Sequence, residues 1–206
     1  MAIRNSLSPL KKHGRLVVLT GAFLGLAGTS GCDDPFGLNA TIETRRDTLV
    51  AFAMTGTPSS FVSGFNAATG ALVRIGPDVG FDVAFDLEAD GKVRVIPARL
   101  ISQVKQSFGI PSATQQVGLL APTGTFDGVT RAPESGFKRD TALVVARGQP
   151  VIVEVASEAC QFSLASILYA KLVVDSVNTS SRQIYFRTVR NPNCGFRSFL
   201  PGVPKN

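Results

Sequence analysis

The stretch from Phe81 to Val95 constrains the fold more than any other part of the chain. Phe81, Val83, Phe85 and Leu87 alternate with Asp82, Ala84, Asp86 and Glu88. A period of two is that of a β-strand, and it predicts the apolar set on one sheet face and the acids on a solvated one. Asp90-Gly91 then supplies the residue pair favoured at a tight hairpin turn. Val93 and Val95 resume the alternation, with Lys92 and Arg94 facing outward. Acids of the first strand then lie beside bases of the second, each cross-strand pair contributing about 0.2–1 kcal/mol.

Similar signals recur along the chain. Short apolar runs are found at Thr48–Met54, Phe61–Phe65, Ala71–Ile75, Gln116–Leu120, Phe126–Arg131, Thr141–Ala146 and Val151–Ala156. Asn66–Gly70 reads as the turn of one hairpin, and Gly148-Gln149-Pro150 joins another pair of strands. A last, long hairpin is expected from Leu168–Val177 and Arg182–Arg190, with Asn178–Ser181 as its turn. Residues 98–108 place Leu100, Ile101, Val104 and Phe108 at helical spacing, bounded by Pro97 and Gly109. Many short strands without a sustained helical pattern predict an all-β chain, a single β-sandwich or small barrel-like domain of antiparallel hairpins.

The N-terminus has a different character. Arg4, Lys11, Lys12 and Arg15 precede the apolar run Leu16–Ala27, and small residues follow up to Gly31. A charged start, a short apolar centre and a small-residue zone have the form of a secretory signal peptide. The apolar run is shorter than the roughly 20 residues of a bilayer-spanning helix. Thr29-Ser30-Gly31-Cys32 resembles the lipobox of bacterial lipoproteins, with Thr29 where that family usually has Leu, Val or Ile. The resemblance implies cleavage before Cys32, diacylglycerol on its sulfur and a place in the bacterial cell envelope, facing the periplasm or the cell surface. Asp33 resembles the inner-membrane retention signal of some bacteria, and the choice of membrane stays open. The expected organisation is a signal peptide over 1–31, a lipidated cysteine and tether over 32–47, and a β-rich domain over 48–206.

Cleavage changes the charge. The chain has 21 basic and 15 acidic side chains; removing the four bases of the leader leaves 17 against 15, a net of +2. A nucleic-acid partner, which needs a basic face to displace counterions, is not expected. The leader also takes the chain's one histidine, His13. The mature chain therefore lacks the residue for a Ser-His-Asp triad, a Cys-His pair or a histidine-ligated metal. No cofactor is expected. Cys160 and Cys194 flank the last hairpin, and its open end brings such flanks together. Export favours a disulfide between them, stabilising by roughly 3–4 kcal/mol through loop-closure entropy.

Several motifs match known patterns only in part. Asp86–Gly91 partly matches an EF-hand loop, but its twelfth position is Pro97 instead of the bidentate Glu. A different Ca²⁺ site from Asp82, Asp86 and Glu88 competes with a plain solvated strand face. Ser102–Lys105 fits Ser-x-x-Lys and Ser176–Asn178 fits Ser-x-Asn, but the Lys-Thr-Gly element of penicillin-binding enzymes is missing. Tryptophan is absent and Tyr169 and Tyr185 are the only tyrosines, which weakens carbohydrate stacking.

From Ser176 onward there are five bases and no acid: Arg182, Arg187, Arg190, Arg197 and Lys205. Arg187, Arg190, Phe196, Arg197 and Phe199 form the expected interaction patch, suited to an envelope protein or an anionic cell-wall polymer. The competing expectation is that these bases balance the acids of Asp78–Asp90. The functional expectation is a lipid-anchored, non-enzymatic binding or structural domain, with the membrane as a partner through the lipid. Its rival is a carboxylate-dependent envelope hydrolase, which needs two or three acids converging in a cleft.

Overall fold

The computed structural model describes residues 39–76, 80–101 and 116–205. Cys32, Asp78 and the Ser102–Lys105 motif lie outside them, as does most of the segment at helical spacing. Ten strands form: β1 (Arg45–Phe52), β2 (Val62–Phe65), β3 (Leu72–Arg74), β4 (Val83–Leu87), β5 (Val93–Pro97), β6 (Val117–Leu120), β7 (Leu143–Val145), β8 (Pro150–Ala156), β9 (Ile167–Asn178) and β10 (Gln183–Asn191). Short 3₁₀ turns cover Ala98–Leu100 and Glu158–Cys160, and there is no α-helix among the described residues. The strands make two five-stranded sheets, β1-β10-β9-β8-β6 and β3-β2-β4-β5-β7, with every pairing antiparallel. The fold is a β-sandwich, as the strand pattern predicts.

Alternation explains the layer between the sheets. Val151, Val153 and Val155 of β8 face Phe65, Phe85, Val93 and Val95 of the second sheet in one continuous core. Phe186 of β10 bridges the sheets, with ring centroids 4.8 Å from Phe85 and 6.1 Å from Phe65. The chain changes sheets immediately after β1. The Ala53 N–H donates to Arg182 O and the Met54 N–H to Phe85 O, each at 2.8 Å, which closes one corner of the sandwich.

A second apolar layer covers the outer face of the first sheet. Ile152, Tyr169, Val173 and Val189 alternate with the inner residues and pack beneath Phe126, Val129, Ala132 and Phe199. The covering side chains come from the long β6–β7 connection, residues 121–142, and from the C-terminal tail. Strap and tail are tied by Ala132 N–H to Arg197 O and Phe199 N–H to Thr130 O, both 2.8 Å. Gly118 on β6 admits the strap, because a Cβ there would sit 2.8 Å from that of Phe137.

Three expectations are corrected. Phe126–Arg131 is not a strand. Thr125 turns the chain by accepting from the Gly128 N–H through its side chain and from the Val129 N–H through its carbonyl, both 3.1 Å. Phe81 does not share a face with Phe85; it packs with Ala84 and Ile96 in a separate cluster, because the strand begins only at Val83. Residues 41–47, expected in the tether, are integrated into the domain. Asn193 Oδ1 accepts from the Thr41 and Ile42 N–H groups at 2.9 and 3.0 Å, and β1 starts at Arg45.

The Asp90-Gly91 turn differs in type from a two-residue hairpin. Glu88 N–H donates to Lys92 O and Gly91 N–H to Glu88 O, with Gly91 at φ +81°. This is a three-residue loop with glycine in the left-handed position.

Candidate functional site

The expected interaction patch does not form as a free surface. Phe196 and Phe199 are buried, a correction of their expected exposure. The tail folds back along the strap and carries Phe199 into the outer apolar layer. The arginines are engaged as well. Arg187 grips Asp175 with Nε and Nη2, both at 2.9 Å. Arg190 donates to Ala68 O at 2.9 Å, and its Nε lies 3.5 Å from Asp47. Arg197 pairs with Glu134 at 2.6 Å. Of the C-terminal bases, Arg182 meets one acid of the β4–β5 hairpin, 3.3 Å from Asp86. The expected balancing by those acids is thus found at Arg182; Arg187, Arg190 and Arg197 take partners elsewhere.

Beneath the strap lies a cluster that sequence reasoning missed. Lys171 of β9 is 2% exposed, and its ammonium donates to Phe126 O at 2.5 Å and Val129 O at 2.7 Å. The same nitrogen stands 4.5 Å from the centre of the Phe126 ring, with Arg187 and Arg46 at 5.1 and 5.7 Å from it. A ring face attracts cations, and here three share one ring. Burial lowers the Lys171 pKa, and Arg46 nearby lowers it further. Next to it, Glu154 of β8 is paired with Arg139 of the strap and accepts from the Tyr169 hydroxyl at 3.4 Å. Burial, then the Glu154 charge, push the tyrosine pKa up. Both ionic groups hold the strap against the sheet. A signal for them exists in the sequence. Glu154 and Lys171 interrupt otherwise apolar strands, and such strands are covered on both faces.

Asp82 and Asp86, at the β4–β5 hairpin, are not on a solvated face. Asp82 is buried and accepts from the Ala67 N–H at 2.6 Å. Burial raises its pKa to about 6, against the lowering effect of that hydrogen bond. Asp86 is buried at the sheet-switching corner, where it accepts from the Thr55 N–H and hydroxyl and from Arg182. Arg94 lies opposite Asp86 in register but pairs with Glu88, 2.5 Å away. Asp82 and Asp86 are four strand positions apart, about 13 Å. Asp82, Asp86 and Glu154 therefore each serve a separate partner set. Among the described residues, no group of three or more His, Cys, Asp or Glu side chains could hold a metal ion.

A shallow groove of about 180 Å³ is lined by Met54, Thr57, Pro58, Ser59, Phe61, Ser63 and Ile75. None of these side chains titrates in the carboxylate or imidazole range.

Cys160 and Cys194 lie at disulfide distance, with sulfurs 2.06 Å and Cα atoms 5.7 Å apart. They join the β8–β9 loop to the segment after β10, at the end of the first sheet where β1 begins. The same loop exposes Phe162 and Leu164, which nothing in the strand pattern singles out. No helix among the described residues is long and apolar enough to cross a membrane. No family model matches the chain, and no curated protein or solved structure matches it.

Proposed function

We propose that this chain is a bacterial lipoprotein, exported and acylated at Cys32, whose β-sandwich serves the cell envelope as a non-enzymatic binding or structural domain. The observation that carries the non-enzymatic reading is the use made of the buried acids. Asp82 holds the Ala67 backbone, Asp86 locks the sheet-switching corner and Glu154 fastens the strap. A carboxylate hydrolase needs two of them facing one another across a cleft, roughly 5–10 Å apart. The anchor reading rests on the Thr29–Cys32 sequence and its apolar leader. The pairing of Cys160 with Cys194 suits an oxidising compartment.

Cell fractionation tests the anchor. The intact chain is expected in the membrane fraction, and Cys32→Ser in the soluble fraction or retained with its leader. Equal distribution of the two, with residues 1–31 absent from both, would contradict the proposal. Turnover of an envelope substrate by the purified protein, abolished by changing one of the three buried acids to its amide while the fold persists, would overturn the non-enzymatic part.

A further inference from the structure

We propose that the end of the sandwich carrying Phe162 and Leu164 lies against the bilayer, with both side chains in its interfacial layer. This deepens the lipoprotein reading and rests on acylation of Cys32. Phe162 is 95% exposed and Leu164 78% exposed. The loop that bears them is structured. Ser157 N–H donates to Ser166 O at 3.0 Å, Ser163 N–H donates to Cys160 O at 2.9 Å, and Cys160 is tied to Cys194. A held loop that presents Phe and Leu to water loses the gain of burying them unless something apolar covers it. Gln161 to Ser166 carries no charge that would oppose contact with lipid.

The position of the loop indicates what covers it. Cys194 is adjacent to Asn193, whose side chain holds Thr41 and Ile42, so the anchor segment joins the domain beside this loop. Leu200 and Val203 flank the same entry, because Thr44 donates to Leu200 O at 2.7 Å and to Gly202 O at 3.0 Å. With Ile42, these place five exposed apolar side chains at one end of the first sheet. From Cys32 to Thr41 the chain can reach at most about 32 Å. β9 runs about 40 Å from this end to the β9–β10 turn, so the acyl chains hold the near end closest to the membrane. Aromatic and aliphatic side chains at the tip of an acylated protein match the apolar boundary beneath the headgroups.

The chain contains no tryptophan, so Phe162→Trp introduces a single reporter. The full acylated chain is reconstituted in phosphatidylethanolamine–phosphatidylglycerol vesicles whose acyl chains carry bromine. Emission of Phe162→Trp is expected to shift to the blue and to be quenched about two- to fivefold more than that of Val144→Trp, placed on the exposed edge strand of the other sheet. Adding Leu164→Asp is expected to bring the quenching down toward the Val144→Trp level. An intact mass on the same sample separates the failures. An acylated chain whose Phe162→Trp emission stays water-like and unquenched overturns the inference alone, and means that the loop faces solution or a protein. An unmodified Cys32 overturns the lipoprotein reading and the inference with it.

Discussion

Asp82 becomes harder to ionise when the chain folds. Its carboxyl is buried with the Ala67 N–H as hydrogen-bond donor, and its pKa rises from 3.8 to about 6. A raised acid pKa means that the folded state binds more protons than the unfolded state between these two values. The associated stability is fully present below about pH 4, falls as pH rises, and is gone above about pH 6. A rise of that size corresponds to about 2–3 kcal/mol. Asp82→Asn keeps the oxygen that accepts from Ala67 and removes the ionisation. Urea unfolding should therefore show the variant more stable than the parent by about 2–3 kcal/mol near pH 8, with the difference vanishing near pH 4. The sequence places Asp82 on a strand face but gives no sign that the face is covered. Its apolar neighbours alternate as they would beside water, and its desolvation comes only with burial in the folded chain. Lys171 works in the opposite sense. Lys171→Met leaves two carbonyls of the strap without their donor, a loss of about 2–4 kcal/mol. Hydrogen exchange at the Val129 and Ala132 amides should quicken by more than the global destabilisation explains; unchanged local protection would remove the clamp from the account.

At the scale of elements, patterning is legible wherever one strand face meets the core. β4 and β5 pair in the register that their alternation implies, and β9 with β10 forms the expected long hairpin. Legibility fails where the cover comes from irregular chain. Phe126 and Val129 resemble part of a strand because apolar residues near a turn signal look the same whether they pair or plug. The strap's hold depends on Lys171 and Glu154, whose strap partners Phe126, Val129 and Arg139 lie on a separate stretch of the chain. The burial of Phe196 and Phe199 is hidden from the sequence for a related reason. Phe196 and Phe199 follow a glycine in a basic segment, and nothing local shows that the tail returns to the outer face. The cysteine pair is legible because the hairpin geometry determines which flanks meet. Its sequence separation of 34 residues gives about 3–4 kcal/mol of loop-closure stabilisation. Cys160→Ser with Cys194→Ser should lower urea stability by that amount while leaving the far-ultraviolet spectrum of a β-protein; equal stability with and without reductant would show that the pair is not bonded.

For the whole molecule, two sheets enclose one core, and a strap and tail seal one outer face with a buried lysine and a buried glutamate. The interactions joining the N-terminal segment, the β8–β9 loop and the tail gather at one end of the first sheet. Asn193 and the Cys160–Cys194 pair are the joints. Under the proposed acylation of Cys32, these joints connect the segment nearest the anchor to β10 and the tail. The most direct test is the intact mass of the protein extracted from membranes without reductant. The account predicts a chain that begins at Cys32, carries diacylglycerol on that sulfur and has lost two hydrogens at Cys160 and Cys194. A chain that still begins at Met1, with three free thiols, would contradict it.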